Sequence, residues 1–350
     1  ASATPERYEA ALGAVCADAK VDAVIAIFIS PVIVDATAMA RAICRSLQGS
    51  PKTTLVVFMS KAASAEGAAI LRTAGLPVYL YPEEAATALA AMNRYRLLRD
   101  RPAGRIPSFK VDAAGAARAL AALAANRRKR DDGSEGGLLG REGTDDLLRA
   151  YGFPLVPSRL ARTAAEAIDF SHEIGYPVVL KAQSSRIVHK TDVGGVKLDL
   201  RNSDEVWAAF GELEHLRRRA PDLRIQVQKM VKGGRELILG MAHDAQFGPL
   251  LMLGLGGIYV EVMRDVAVRV HPLTDAGARE MIRSLRAYPL LTGVRGEPGV
   301  DLAVVEDALL RLSQMVAELD AIREIDINPF IVSSRREDSY VVDARVRVEN

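Results

Sequence analysis

The chain has 350 residues, 49% hydrophobic and 26% charged, the composition of a globular protein long enough for two or three separately cored domains. Forty-six Lys and Arg against 44 Asp and Glu leave a formal charge of +2, which gives no sign of nucleic-acid binding. No apolar run is long enough to span a bilayer, so no membrane partner is expected. Cys16 and Cys44 lie in alanine-rich helical patterns and read as small buried hydrophobes, which fits a reducing cytoplasm. The chain opens at Ala1 with no signal peptide and no initiator methionine, and reads as processed or as cut from a longer protein.

Residues 1–100 alternate helix and strand. A helix is expected from Pro5 to about Ala19, and a strand buried on both faces from Asp22 to Ile29. A helix Val34–Leu47, a strand Thr53–Phe58, a helix Ala62–Ala74, a strand Pro77–Tyr81 and a helix Pro82–Leu98 follow. That order predicts parallel βαβ units, and so a small doubly wound sheet. It lacks Gly-x-Gly-x-x-Gly, which disfavours a dinucleotide fold. Residues 101–143 read as a linker: Arg101 to Pro107 is a break and Val111–Asn126 is helical. Arg127-Arg128-Lys129-Arg130 then runs into Asp131-Asp132 and the small residues Gly133 to Gly137, as a solvated segment would.

From residue 144 the pattern becomes α+β. Helices are expected at Thr144–Tyr151, at Ala164–Ile174, and from a Ser203 cap to about Arg219. Strands are expected at Val156–Leu160, Tyr176–Leu180, Val196–Leu200, Leu223–Met230, Arg235–Met241, Pro249–Leu253, Tyr259–Val262 and Val266–Val270. The organising stretch is Lys181–Val196. Lys181 closes a strand and delivers an ammonium to a site. His189, Lys190, Thr191 and Asp192 form a polar loop, and Gly194-Gly195 lets the backbone turn or approach a ligand. A fixed lysine neutralises phosphate, and neutral imidazole can act as nucleophile or base near pH 7.

Three further clusters carry possible chemistry. Gly254-Leu255-Gly256-Gly257 joins two strands, either as a tight turn or as a phosphate cover. Arg295 stands between Gly293 and Gly296, as a surface arginine or an anion clamp. Glu324, Asp326 and Asn328 alternate along one face of a strand, and Asp343 lies in the next, Tyr340–Ala344. Converging carboxylate and amide oxygens suit Mg²⁺. The chain has no Walker A pattern, kinase signature, zinc spacing or Gly-x-Ser-x-Gly elbow.

Taken together, Pro177–Lys181, His189–Val196, Gly233-Gly234-Arg235-Glu236-Leu237, Gln246–Pro249, Gly254–Gly257, Tyr288–Leu291 and Asp326–Pro329 resemble the ATP-grasp domain of the nucleoside-diphosphate-forming acyl-CoA synthetases, relatives of succinyl-CoA synthetase. The first region is similar to the flavodoxin-like ligase domain that precedes ATP-grasp in fused members. The resemblance implies an α/β chain with a flavodoxin-like doubly wound domain (1–100), a linker (101–143) and an α+β ATP-grasp domain (144–350).

The reaction implied is carboxylic acid + CoA + ATP to acyl-CoA + ADP + phosphate, through acyl phosphate and phosphohistidine. The resemblance places Lys181 on nucleotide phosphates and Gln228, Lys229, Met230 and Val231 at an adenine hinge, with Glu236, Gly256 and Gly257 on the nucleotide. It makes Asn328 and Asp343 ligands of Mg²⁺. Asp326 orients a phosphohistidine, and His189 matches an ATP-side relay in some members. Arg295 joins the catalytic set. The family's CoA-binding domain and principal phosphorylated histidine have no counterpart among His172, His189, His215, His243 and His271. CoA is therefore expected to bind domains supplied by a partner chain or by a missing part of the same protein, in an oligomer. An alternative is a synthetase-like regulatory module of a lysine acetyltransferase, which binds ligand without catalysis. A bland alternative is a scaffold with a vestigial ATP site.

Overall fold

A computed structural model describes residues 4–29, 35–59, 65–124, 136–184, 193–257, 265–294 and 296–349. It divides into two compact units, Ala1–Pro102 and Ala103–Asn350.

The first unit is a parallel sheet in the order β1 (Ala23–Ile29), β2 (Thr53–Met59), β3 (Val78–Tyr79). Helix α1 (Pro5–Ala17) precedes it, α2 (Ala36–Leu47) and α3 (Ala65–Thr73) connect its strands, and α4 (Pro82–Arg99) ends it. Val24, Ala26, Phe28, Val56 and Phe58 pack with Leu12, Met39, Ile43 and Leu71 on one face. Leu55 and Val57 meet Ala85 of α4 on the other. Helices on both faces of a parallel sheet give the doubly wound, flavodoxin-like arrangement. β1 departs from the expectation of burial on both faces. It is an edge strand, and Ile27 and Ile29 are 45% and 65% exposed, whereas central β2 is buried at five successive positions. Cys16 and Cys44 are free thiols, half-buried against this core.

The second unit holds two antiparallel sheets. The smaller has the order β5 (Ser158–Ala161), β8 (Arg224–Lys229), β6 (Val178–Gln183), β7 (Val196–Leu200). Val178, Leu180, Ala182, Ile225 and Val227 share its apolar face with residues of α7 (Ala164–Ile174) and α8 (Ser203–Glu214). The α8 cap is Asn202, whose side chain accepts from Glu205 N, one residue before the expected Ser203. Ser203 is the first helical residue, with its hydroxyl 3.2 Å from His172 Nε2.

The larger sheet runs β11 (Val266–Val270), β10 (Gly248–Leu255), β9 (Arg235–Asp244), β12 (Ile322–Val332), β14 (Ala344–Glu349), β4 (Gly136–Leu138), and β13 (Tyr340–Val341) pairs with β12. Its buried face, including Leu239, Met241, Leu253, Ile325, Ile327 and Phe330, packs on the long helix α11 (Leu302–Glu318) and on α9 (Asp275–Arg283). The short helix α10 (Tyr288–Thr292) carries the Tyr-Pro-Leu-Leu motif.

The stretch expected to be a linker carries structure of its own. Arg105 N donates to Asp275, and Phe109 and Gln314 exchange hydrogen bonds of 2.7 and 3.0 Å. Helix α5 (Ala113–Ala124) places Ala116 and Ala119 in the core of the large sheet, and β4 pairs with β14. Small alanines allow that close helix packing, and their composition alone cannot be told from a solvated helix. The Arg127–Asp132 run lies outside the described residues, as does the strand expected at Tyr259–Val262. Among the described residues, no helix is long and apolar enough to cross a membrane.

Candidate nucleotide-binding site

Lys181 does not close its strand. β6 continues to Gln183, and Lys181 sits inside it, paired with Gln226 on β8 and Val196 on β7. Alternation puts Lys181 on the face opposite the helices, with Gln226 and Gln228 as neighbours on β8. The three are 8%, 1% and 1% exposed, so this second face is polar yet covered. Buried polar groups must be hydrogen-bonded, and they are: Gln183 donates to Gln226 Oε1 at 2.6 Å, and Gln228 Nε2 donates to the Val342 carbonyl at 3.0 Å. The second bond ties the small sheet to the turn before Asp343.

Beyond Gln228 the chain leaves the sheet through Lys229, Met230 and Val231. Lys229 N donates to Pro157 O and Met230 N to Pro177 O, so both amides are engaged within the fold. A base edge at this hinge would meet carbonyl oxygens or the amide of Val231. Lys229 Nζ lies 5.8 Å from the centre of the Tyr340 ring.

Glu236, Gly256 and Gly257 come together. Gly256 N donates to Glu236 O, and a Cβ on Gly256 would stand 3.0 Å from the Glu236 backbone. Gly257 has φ +69°, and a Cβ there would stand 3.1 Å from the Glu236 carboxylate. Only glycine suits both the close approach and the left-handed backbone. The rest of that loop, 258–264, lies outside the described residues, as do His189 and Arg295.

β12 brings Asp326 opposite Gly240 and Arg345, on the face away from the core. Burial raises the Asp326 carboxyl above the usual range; Arg345 opposes this, while Asp343 and Glu324 add to it. The expected single face of Glu324, Asp326 and Asn328 ends at a bulge. Pairing shifts between Ile327 and Phe330, and two residues, Asn328 and Pro329, separate the buried Ile327 from the buried Phe330. Asp343 is likewise not within a strand. It lies between β13 and β14 yet keeps the register of both against β12: Asn328 N donates to Asp343 O and Val342 N to Pro329 O, each at 3.0 Å.

Asn328 and Asp343 are thus neighbours with hard oxygen donors. Among the described residues, no three His, Cys, Asp or Glu side chains could hold a metal ion together. Two oxygen ligands fit Mg²⁺ shared with substrate phosphates and waters, and do not fit a metal held by protein alone.

One participant is missed in the sequence reading. Arg141, the first residue of α6 (Arg141–Ala150), places Nη1 2.7 Å from Asp343 Oδ1 and Nε 2.9 Å from Asp145 Oδ2. An available signal was its place: a cation in the first turn opposes the helix dipole. His243 and His271 lie elsewhere, lining a cavity with Asp320 and Arg323 at the far end of the β9–β10 hairpin from Glu236.

Two antiparallel sheets thus carry a buried lysine on one and, on the other, an Asn/Asp pair joined through the backbone. A family model described as an ATP-grasp domain matches residues 132–348. The ADP-forming acetate–CoA ligase I of Archaeoglobus fulgidus is 36% identical over 354 residues, covering 98% of this chain and 48% of that protein. The beta subunit of the ADP-forming acetate–CoA ligase I of Pyrococcus furiosus is 43% identical over 205 residues, 57% of this chain and 88% of the subunit. A solved acetyl-coenzyme A synthetase of Ca. Korarchaeum cryptofilum, in complex with coenzyme A, Ca-AMPCP and HgCl⁺, matches with a TM-score of 0.60. It is 42% identical and covers 66% of this chain and 98% of that one. The chain belongs to the ATP-grasp family of the ADP-forming acyl-CoA ligases. It spans 42% and 48% of the length of two longer curated relatives, one of them the Archaeoglobus protein.

Proposed function

We propose that this chain is the nucleotide-binding and phosphoryl-relay portion of an ADP-forming acyl-CoA synthetase. The carrying observation is that one compact unit holds buried Lys181, the Glu236–Gly256–Gly257 cluster and the Asn328–Asp343 pair, with a Gln228–Val342 hydrogen bond joining the lysine's sheet to the residue before Asp343. The whole protein would convert carboxylic acid, CoA and ATP to acyl-CoA, ADP and phosphate through acyl phosphate and phosphohistidine. CoA would bind mainly to domains beyond this chain, either in a partner subunit, as the separate Pyrococcus beta subunit suggests, or elsewhere in the same protein.

Lys181 holds nucleotide phosphates from a strand whose neighbours prevent it from swinging away. The segment Gln228 to Val231 meets the base, and Glu236 with Gly256 and Gly257 lines the nucleotide. Asn328 and Asp343 hold Mg²⁺, which neutralises phosphate charge when bound. His189 accepts and returns the phosphoryl group, Asp326 orients the phosphohistidine, and Arg295 neutralises charge in transfer. Phosphoryl transfer depends chiefly on positioning and charge neutralisation, and these residues supply both. The alternative of a regulatory module in a lysine acetyltransferase finds no support among the relatives named above.

The metal assignment is tested by Asp343→Asn, which keeps an oxygen for Arg141 but removes the charge. It should weaken Mg-ATP binding about tenfold or more in calorimetry, as expected for loss of a charged ligand, and leave ATP binding in EDTA nearly unchanged. Equal weakening in both buffers would sink the assignment.

A further inference from the structure

We propose that Arg141 guards Asp343 so that the site accepts a divalent cation carried on nucleotide phosphates and refuses the bare ion. The inference rests on the reading of Asp343 as a metal ligand. Arg141 is a positioning residue by this account, acting on the metal through Asp343.

The observations begin with burial. The Arg141 side chain is 10% exposed, and those of Asp145 and Asp343 are 16% and 22%. The guanidinium forks between the two carboxylates at 2.9 and 2.7 Å, a geometry lysine's point charge cannot copy. Asp343 Oδ1 also accepts from Ala344 N at 3.0 Å, and its carbonyl accepts from Asn328 N. Its backbone and its carboxylate are therefore both fixed before any ligand arrives. Asp145 anchors the far side of the fork. Its other oxygen, Oδ1, is buried and has no hydrogen-bond partner among the described residues. Burial raises the Asp145 carboxyl, with Arg141 opposing.

Charge then decides the selectivity. A bare divalent ion reaching Asp343 meets a guanidinium already on that carboxylate, in a poorly solvated setting where like charges repel strongly. A metal bridging two phosphates arrives with net negative charge, which the guanidinium attracts. One side chain therefore disfavours the free ion and favours the complex.

Manganese is the probe, because free Mn²⁺ is counted directly by electron paramagnetic resonance. The neutral variant is Arg141→Gln combined with Asp145→Asn, so that Asp145 is not left charged without its cation and Asp343 is the carboxylate of the pair left to meet the metal. Circular dichroism checks that it folds. In the full chain without nucleotide it should bind Mn²⁺ about tenfold tighter than the parent. Adding Asp343→Asn should abolish that gain. Arg141→Lys keeps the charge and should bind bare Mn²⁺ as weakly as the parent, which tests the charge argument even if the double variant fails to fold.

Double-variant affinity equal to the parent's, with Asp343→Asn still weakening Mn-ATP in the parent, overturns the guard and leaves the metal reading standing. Tightening in Arg141→Lys as large as in the neutral variant also overturns it. Indifference of Mn-ATP binding to Asp343→Asn removes the metal reading, and the guard with it.

Discussion

Lys181→Met lowers the affinity of the chain for Mg-ATP by roughly 10- to 100-fold, the worth of a charged hydrogen bond of about 1.5–3 kcal/mol. Methionine matches the length of the lysine stem and keeps its packing between the neighbouring strands. The ammonium it removes is costly to bury, so the fold should lose little. The thermal midpoint is expected to stay within a few degrees of the parent. The distinguishing feature is this separation: a binding residue should cost affinity without stability. A large drop in midpoint with affinity intact would make Lys181 a structural residue, held by the face it shares with Gln226 and Gln228.

Phe330→Ala has the opposite signature. Phe330 is fully buried, paired with Leu237 on β9 and Val341 on β13, immediately after the Asn328–Pro329 bulge. Truncating a buried phenylalanine costs about 3–5 kcal/mol, from lost transfer energy and the cavity left behind. Against total stabilities of about 5–15 kcal/mol, that is a large share. Urea titration by circular dichroism should show an earlier midpoint, with the thermal midpoint falling by about 10 °C or more. The cavity also loosens the backbone that presents Asn328, so Mg-ATP affinity should fall in the folded variant. A stability loss under about 1 kcal/mol would mean that the core around the bulge collapses onto the gap.

The larger elements were legible in the sequence because their patterns are local. The α7 helix, β7 and β11 fall where periodicity put them. The site was less legible where position depends on partners far along the chain. Lys181 reads as the end of an apolar run, but pairing to β8 extends its strand by two more residues, Ala182 and Gln183. Strict alternation holds from Glu324 through Asn328, either side of the buried Ile325 and Ile327, and is lost only at the bulge before Phe330, where pairing to β9 shifts. Residues 101–143 have the composition of a linker, but Arg105 and Phe109 bond Asp275 and Gln314 far along the chain, and Ala116 and Ala119 join the core. Arg141 stood out only by its place in the first turn of a helix, and its partner Asp343 is 202 residues away.

The measurement that bears most directly on the account is incubation of the full chain with γ-labelled ATP and Mg²⁺, followed by acid and base treatment of the protein-bound label. The account predicts a label that acid removes and base spares, as for phosphohistidine, and that His189→Asn abolishes while ATP still binds. An acid-stable label, a label undiminished in His189→Asn, or no label at saturating Mg-ATP would contradict the relay at the centre of it.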